Sequence, residues 1–160
     1  MGIEVFDHFF NEDIRKEIFN LLQRPKWSLT GGSSFQKFWH IDGLEEESFF
    51  NTYLFNIICE KLDRSFKYLR IYANGQTAGQ SGTPHTDDGN FTFLYYPNPE
   101  WKTEYQGHLM FLEDNEIFKT VSYKPNRALI FPAKIKHCAA APNTLYRDLR
   151  ISLAYKLELL

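Results

Sequence analysis

At Phe66 the hydrophobic pattern changes its period, and that change restricts the fold more than any other feature of the chain. Before it, apolar residues recur at helical spacing. Asn11 can accept from a first-turn N–H, and Glu12 and Asp13 suit the positive end of a helix dipole. Ile14, Ile18, Leu21 and Leu22 then line one face until Pro25 stops the run. A second helix is expected over 45–62, with Phe50, Leu54, Ile57, Ile58 and Lys61 along one side. Between the helices, 30–34 (TGGSS) reads as a loop and 38–41 as a short strand. After Phe66 the period is two. Strands are expected over 66–73, 84–87, 91–96, 107–112, 117–123, 127–132, 134–138 and 149–157. Turn signals such as Asn74-Gly75, Asp88-Gly89 and Pro125-Asn126 separate them. Helices first and many short strands after predict a mainly β fold. The expected form is a jelly roll, or double-stranded β-helix, with two N-terminal helices packed on one sheet. With 160 residues the chain fits a single domain, 1–160, comprising helical support over 1–65 and a jelly-roll core over 66–160.

The balance of 18 basic against 20 acidic residues gives a net charge of −2, which disfavours a nucleic-acid binder, since phosphate neutralisation calls for a basic excess. Aromatic residues form 17 % of the chain, pointing to a core or pocket built on rings. The two cysteines, Cys59 and Cys138, make no disulfide framework and read as reduced thiols. The start, MGIEVFDHFF, has early acids and no apolar segment of the signal-peptide kind, and no run approaches membrane-span length. A cytoplasmic protein without a membrane partner is the expectation.

Chemistry concentrates in His85-Thr86-Asp87, with His137 further along and Arg150-Ile151-Ser152 near the end. In a strand, His85 and Asp87 leave the same face and can bite one ion. A third ligand, His137, would complete a triangular face and leave three metal positions open. That arrangement suits non-haem Fe(II) and oxygen. An H-x-D pair alone is common by chance, and a solvated surface turn is its competing reading. His108, next to Gly107, is the nearest rival imidazole and stays outside the triad. In the last strand Leu149, Ile151, Leu153, Tyr155 and Leu157 alternate with Arg150, Ser152, Ala154 and Lys156, so Arg150 and Ser152 share one face. A guanidinium can make two parallel bonds to a carboxylate, and a neighbouring hydroxyl a third. The glycine-containing 74–84 segment could close over the metal as a lid.

These residues carry a resemblance. LRIY at 69–72, PHTDDG, TFLYYPNPEW, the Gly107-centred strand, RALIFPAKIKHCAAAP and RISLAYKL together resemble the Fe(II)/2-oxoglutarate-dependent dioxygenases, most of all the small prolyl-4-hydroxylase-like oxygenases of bacteria and phages. The resemblance covers residues 69–157 and is less distinct before them. It implies Fe(II) at His85, Asp87 and His137, with 2-oxoglutarate and O2 as cosubstrates and ascorbate as a candidate auxiliary reductant. It implies hydroxylation of a prolyl or similar C–H site, on a peptide, protein or small molecule, with succinate and CO2 as co-products. Tyr72 would donate to the distal carboxylate of 2-oxoglutarate beside Arg150 and Ser152, and Asn74 would orient the near end. Relatives that halogenate lack the carboxylate that stands here as Asp87, so hydroxylation is the expected outcome. The spacing in many relatives would put the cosubstrate cation at Arg147, whereas the strand pattern favours Arg150. A metal enzyme of the cupin type without 2-oxoglutarate and a non-catalytic jelly-roll binding module are the alternatives.

Overall fold

The computed structural model describes residues 2–33 and 36–160; Ser34, the last residue of the expected 30–34 loop, lies outside them. The chain runs β1 (Glu4–Phe6), α1 (Glu12–Leu21), β2 (Ser28–Ser33), β3 (Gln36–Ile41), α2 (Phe55–Leu62), β4 (Phe66–Gln76), β5 (Phe91–Tyr95), β6 (Leu109–Glu113), β7 (Glu116–Val121), β8 (Ala128–Pro132), β9 (Lys136–Ala139) and β10 (Arg150–Leu159). Seven strands form the large sheet in the order β1-β8-β5-β10-β4-β3-β2, and three form the small one, β7-β6-β9. The architecture is the expected double-stranded β-helix.

α1 starts where its cap chemistry dictates, the Asn11 side chain accepting from Ile14 N at 2.9 Å. The expected helix over 45–62 is not continuous. A short 3-10 turn, Leu44–Glu46, ends at Glu47, which is extended, and a π-helical stretch, Phe49–Leu54, then leads into α2. Glu47 leaves the helix because its carboxylate is drawn to Arg24 at 2.9 Å and Lys26 at 2.9 Å. Residues 1–65 also supply more than helices: β1, β2 and β3 all join the large sheet, and the expected loop over 30–34 continues β2 as far as Ser33.

Both faces of the large sheet are buried, which settles what its alternation means. On one face Ile71, Phe93, Leu153, Tyr155 and Leu157 pack with Ile18 and Leu22 of the α1 region and Ile58 and Leu62 of α2. On the other, Leu94, Leu129, Phe131 and Ala154 meet Leu109, Phe111 and Val121 of the small sheet. Burial of each such side chain is worth roughly 1.5–3 kcal/mol, so the helices are integral to the stability of the sheet. Gln76, Arg150, Ser152 and Lys156 share the inward parity of β4 and β10 with Ala154, between the two sheets. β4 runs past the expected Asn74-Gly75 turn because Gly75 is needed inside the strand. A side chain there would bring its Cβ within 2.6 Å of Leu149 Cδ2.

Candidate metal and cosubstrate site

The expected strand over 84–87 reduces to a single bridge, and that bridge brings the two histidines together. His85 N donates to His137 O at 3.0 Å and His137 N donates to His85 O at 2.9 Å. Asp87 N then donates to Ala133 O at 2.8 Å, holding the segment extended. The imidazoles lie with centroids 4.6 Å apart. Each Nδ1 sits 2.8 Å from a backbone carbonyl, Thr83 O for His85 and Ile135 O for His137. A carbonyl only accepts, so each Nδ1 carries a hydrogen and each Nε2 is left to face the site, where it can share a proton with Asp87 or take a metal in place of that proton. Both Nε2 atoms aim at Asp87: His85 Nε2 is 3.4 Å from Oδ1 and His137 Nε2 is 3.2 Å from Oδ2. Donor atoms of His85, Asp87 and His137 all lie within 4.8 Å of one another, and this is the one such group among the described residues.

Asp87 is buried and its second oxygen is occupied. Thr92 Oγ1 donates to Oδ2 at 2.6 Å, and Lys156 Nζ forms an ion pair with the same atom. Burial by itself would raise the carboxyl pKa. Hydrogen bonds from His137 and His85 and the charge of Lys156 overcome it and hold Asp87 well below the usual carboxylate range. This setting favours the ionised carboxylate. The hydrogen bond to that anion in turn raises His85, although burial opposes the shift.

Arg150 is 1 % exposed, and its fork is fixed on two sides. Nε donates to Gly107 O at 2.9 Å and Nη1 to Gln76 Oε1 at 3.0 Å. The plane rests over Tyr123 at 4.9 Å and Tyr96 at 5.4 Å. Gly107 has φ +74°, and a Cβ there would come within 3.0 Å of Arg150 Nε, so glycine is required beneath the guanidinium. Nη2 of Arg150 and the hydroxyl of Tyr96 are buried and lack a hydrogen-bond partner among the described residues. Burial pushes the Tyr96 phenol up, so it remains a donor. Buried donors without an acceptor among the described residues fit the carboxylate of an acidic ligand.

The other expected residues divide by strand register. Ser152 is buried and pairs with Asn74 across β10 and β4. Tyr72 pairs with Ala154 while Arg150 pairs with Gln76, which sets Tyr72 roughly 13 Å along the sheet from Arg150. Its ring lies under Lys156 at 5.6 Å, and with Asn74, His85 and Asp87 it lines a cavity of about 300 Å³. Tyr72 thus lies at the end that holds His85 and Asp87, and the phenols beside Arg150 are those of Tyr123 and Tyr96. Arg147 is exposed in the preceding loop. The 77–84 stretch is fastened to the β9 end, Gly82 N donating to Ala139 O at 2.9 Å and Ala141 N to Ser81 Oγ at 2.9 Å. Tyr96 reads from sequence only as one aromatic that could line a substrate groove, and Gln76, Thr92 and Lys156 belong to no motif; the inward parity of β4, β5 and β10 is the signal that groups them.

With this geometry in view, the comparisons agree. Residues 67–155 match the 2OG-Fe(II) oxygenase superfamily, and the chain belongs to that family. It is accordingly an oxidoreductase of the dioxygenase type, for which Fe(II), 2-oxoglutarate and O2 are the general requirement; the donor set of the triad fits the metal. Among solved structures it is similar to a Trichoplax adhaerens prolyl hydroxylase in complex with a hypoxia inducible factor oxygen degradation domain peptide fragment. That match has a TM-score of 0.72 and 16 % identity, over 98 % of this chain and 83 % of that one. A Pseudomonas putida prolyl-4-hydroxylase matches at TM-score 0.69 and 16 % identity, over 97 % of this chain and 92 % of that one. HygX from Streptomyces hygroscopicus, solved with nickel and 2-oxoglutarate bound, matches at TM-score 0.71 and 11 % identity, over 96 % and 81 %. No curated protein matches the sequence. Among the described residues no helix is long and apolar enough to cross a membrane.

Proposed function

We propose that the chain hydroxylates a C–H bond of a prolyl residue or a proline-like substrate and releases succinate and CO2 from 2-oxoglutarate. The observation that carries this reading is the pairing of a His85–Asp87–His137 donor triangle with a buried Arg150 whose Nη2 lacks an acceptor among the described residues. His85, Asp87 and His137 would hold Fe(II) and leave open positions for ligands. When bound, the metal with its cosubstrate supplies the oxidising chemistry that no side chain provides. The chain supplies position and charge. Arg150 and Tyr96 donate to the far carboxylate of the cosubstrate, with the Ser152 hydroxyl on the same face, while Tyr72 and Asn74 line the metal end. Asp87 stays ionised, and the two Nδ1–H bonds keep both imidazoles turned to the metal. An oxygenase that used the metal without 2-oxoglutarate would leave the donors of Arg150 and Tyr96 unsatisfied, at about 1–3 kcal/mol each. The prolyl preference is supported by the fold shared with two prolyl hydroxylases.

The test is oxygen uptake coupled to succinate formation, screened over proline-containing peptides and free amino acids. Asp87→Ala removes the anionic ligand and should abolish both signals; because it also leaves the buried Lys156 ammonium unpaired, circular dichroism checks that it is folded, and Asp87→Asn, which keeps an oxygen for Lys156, should lose turnover likewise. Normal turnover by Asp87→Ala would sink the metal assignment. Coupled turnover on other substrates with none on any proline would keep the oxygenase reading and discard the prolyl one.

A further inference from the structure

Lys156 is a buried charge that the proposed reaction does not use. It lies on the inward face of β10 and is 2 % exposed. Its ammonium meets Asp87 Oδ2 and donates to Thr92 Oγ1 at 3.2 Å, and Thr92 in turn donates to that same Oδ2 at 2.6 Å. The ring of Tyr72 stands 5.6 Å away. A buried ammonium is costly unless paired, and Asp87 is its one carboxylate among the described residues. The same carboxylate belongs to the metal triangle. Oδ1, whose neighbour is His85 Nε2 at 3.4 Å, is the oxygen not already taken by Lys156 and Thr92.

We propose that Lys156 is a positioning residue that shares Asp87 with the divalent ion and weakens the hold of the site on it. The proposal rests on reading His85, Asp87 and His137 as the metal site. Thr92 and Lys156 together pin Oδ2, so the carboxylate cannot turn to chelate through both oxygens and the open metal positions are kept. The ammonium and the ion are then two cations on one carboxylate, a few ångströms apart in a setting that screens them poorly. Arg150, fixed on Gly107 and Gln76 at the other end of β10, does not exert this effect. Two further cations lie near the mouth and both are exposed: Arg70 pairs with Asp88 at 3.4 Å, and Lys134 donates to the backbone carbonyl of Asp87 at 3.4 Å.

Titration of the metal-free protein with Mn(II) alone, read calorimetrically and by melting temperature, tests the idea. Lys156→Met should bind Mn(II) about tenfold tighter or more, because one repelling charge is gone and the carboxylate is left with the ion as its sole cation. Its metal-free form should melt lower than the parent and regain most of the difference when Mn(II) is saturating. Lys156→Arg, which keeps the charge, should bind much as the parent does. A role in packing alone would lower the metal-free and loaded forms equally and leave the affinity unchanged, and that outcome overturns the proposal. If Lys156→Met does not fold without metal, Lys156→Gln carries the same titration. Failure of both neutral variants to fold even in saturating Mn(II) also overturns it, since the ion should replace the lost charge. Failure of the reading beneath it looks different: the parent would not bind Mn(II), or Asp87→Ala would bind it as the parent does.

Discussion

Arg150 and Arg147 are close in sequence yet differ in every property that bears on holding an acidic cosubstrate. Arg150 is 1 % exposed and pre-aimed by Gly107 and Gln76, whereas Arg147 is exposed and free of any ion pair among the described residues. Removing one partner of a buried, hydrogen-bonded charge pair costs roughly 2–5 kcal/mol. At about 1.4 kcal/mol per tenfold, Arg150→Ala should lower apparent 2-oxoglutarate affinity by roughly thirty-fold to a few thousand-fold. Arg147→Ala should change it less than about fivefold, as for a screened surface charge. Tyr96→Phe should cost about tenfold or more, the worth of a hydrogen bond to a charged group, and should exceed the effect of Tyr72→Phe. The 2-oxoglutarate dependence of succinate formation in the four variants decides, and a dominant Arg147 would sink the assignment. The place of Arg150 beside Ser152 was legible because β10 alternates cleanly. The place of Tyr96 was not, because all of β5 is buried and its two faces read alike. Lys156 shared the face of Arg150, but a lysine in alternation reads as solvent-facing until its partner across the sheets is known.

At the scale of elements, local chemistry showed itself well and long-range pairing did not. The Asn11 cap, the turn at Pro125-Asn126 and the period of β10 are signals written within a few residues. β1 carries no such signal. Glu4, Val5 and Phe6 form a strand only because β8, distant in sequence, offers its edge. Nor does the sequence announce the break at Glu47, whose cause is the pair of cations at Arg24 and Lys26. β1 is fastened at its end by Asp7, which accepts from Arg127 at 2.7 Å and Lys124 at 2.8 Å. The hydrogen bond from Arg127, then that from Lys124, holds the Asp7 carboxyl well below its ordinary value, against a smaller opposing effect of burial. A depressed carboxyl stabilises the fold fully above its unfolded value of about 3.9 and loses that contribution as pH falls towards the folded value. Because its side chain is 36 % exposed, solvent and salt screen much of the effect. Asp7→Asn should therefore cost up to about 1 kcal/mol at pH 7. Urea midpoints should show a smaller gap between variant and parent at pH 3 than at pH 7. A gap that widened in acid would show that Asp7 acts through something other than its charge.

Across the whole molecule the site is a seam between the two sheets. His137 comes from β9 of the small sheet, with His85 bridged to it, while Asp87 is tied to Thr92 on β5 and Lys156 on β10 of the large sheet. At the far end Arg150 reaches from β10 to the carbonyl of Gly107, just before β6. A metal with 2-oxoglutarate upon it would cross this seam, so ligand binding should stabilise the fold as a unit. At a ligand concentration a hundred times its dissociation constant the gain is about 2.7 kcal/mol. For a chain of this size that corresponds to roughly 5–10 °C in melting temperature. Mn(II) should raise the melting temperature of the parent, and 2-oxoglutarate added afterwards should raise it again. Arg150→Ala should keep the first increment and lose most of the second. Asp87→Ala should lose both although Arg150 is intact, because the near end of 2-oxoglutarate needs the metal to chelate. Scanning calorimetry of the three proteins with each addition checks the order. If 2-oxoglutarate stabilised Asp87→Ala as strongly as the parent, the acid would be held by Arg150 without the metal, and the two ends of the seam would not form one site.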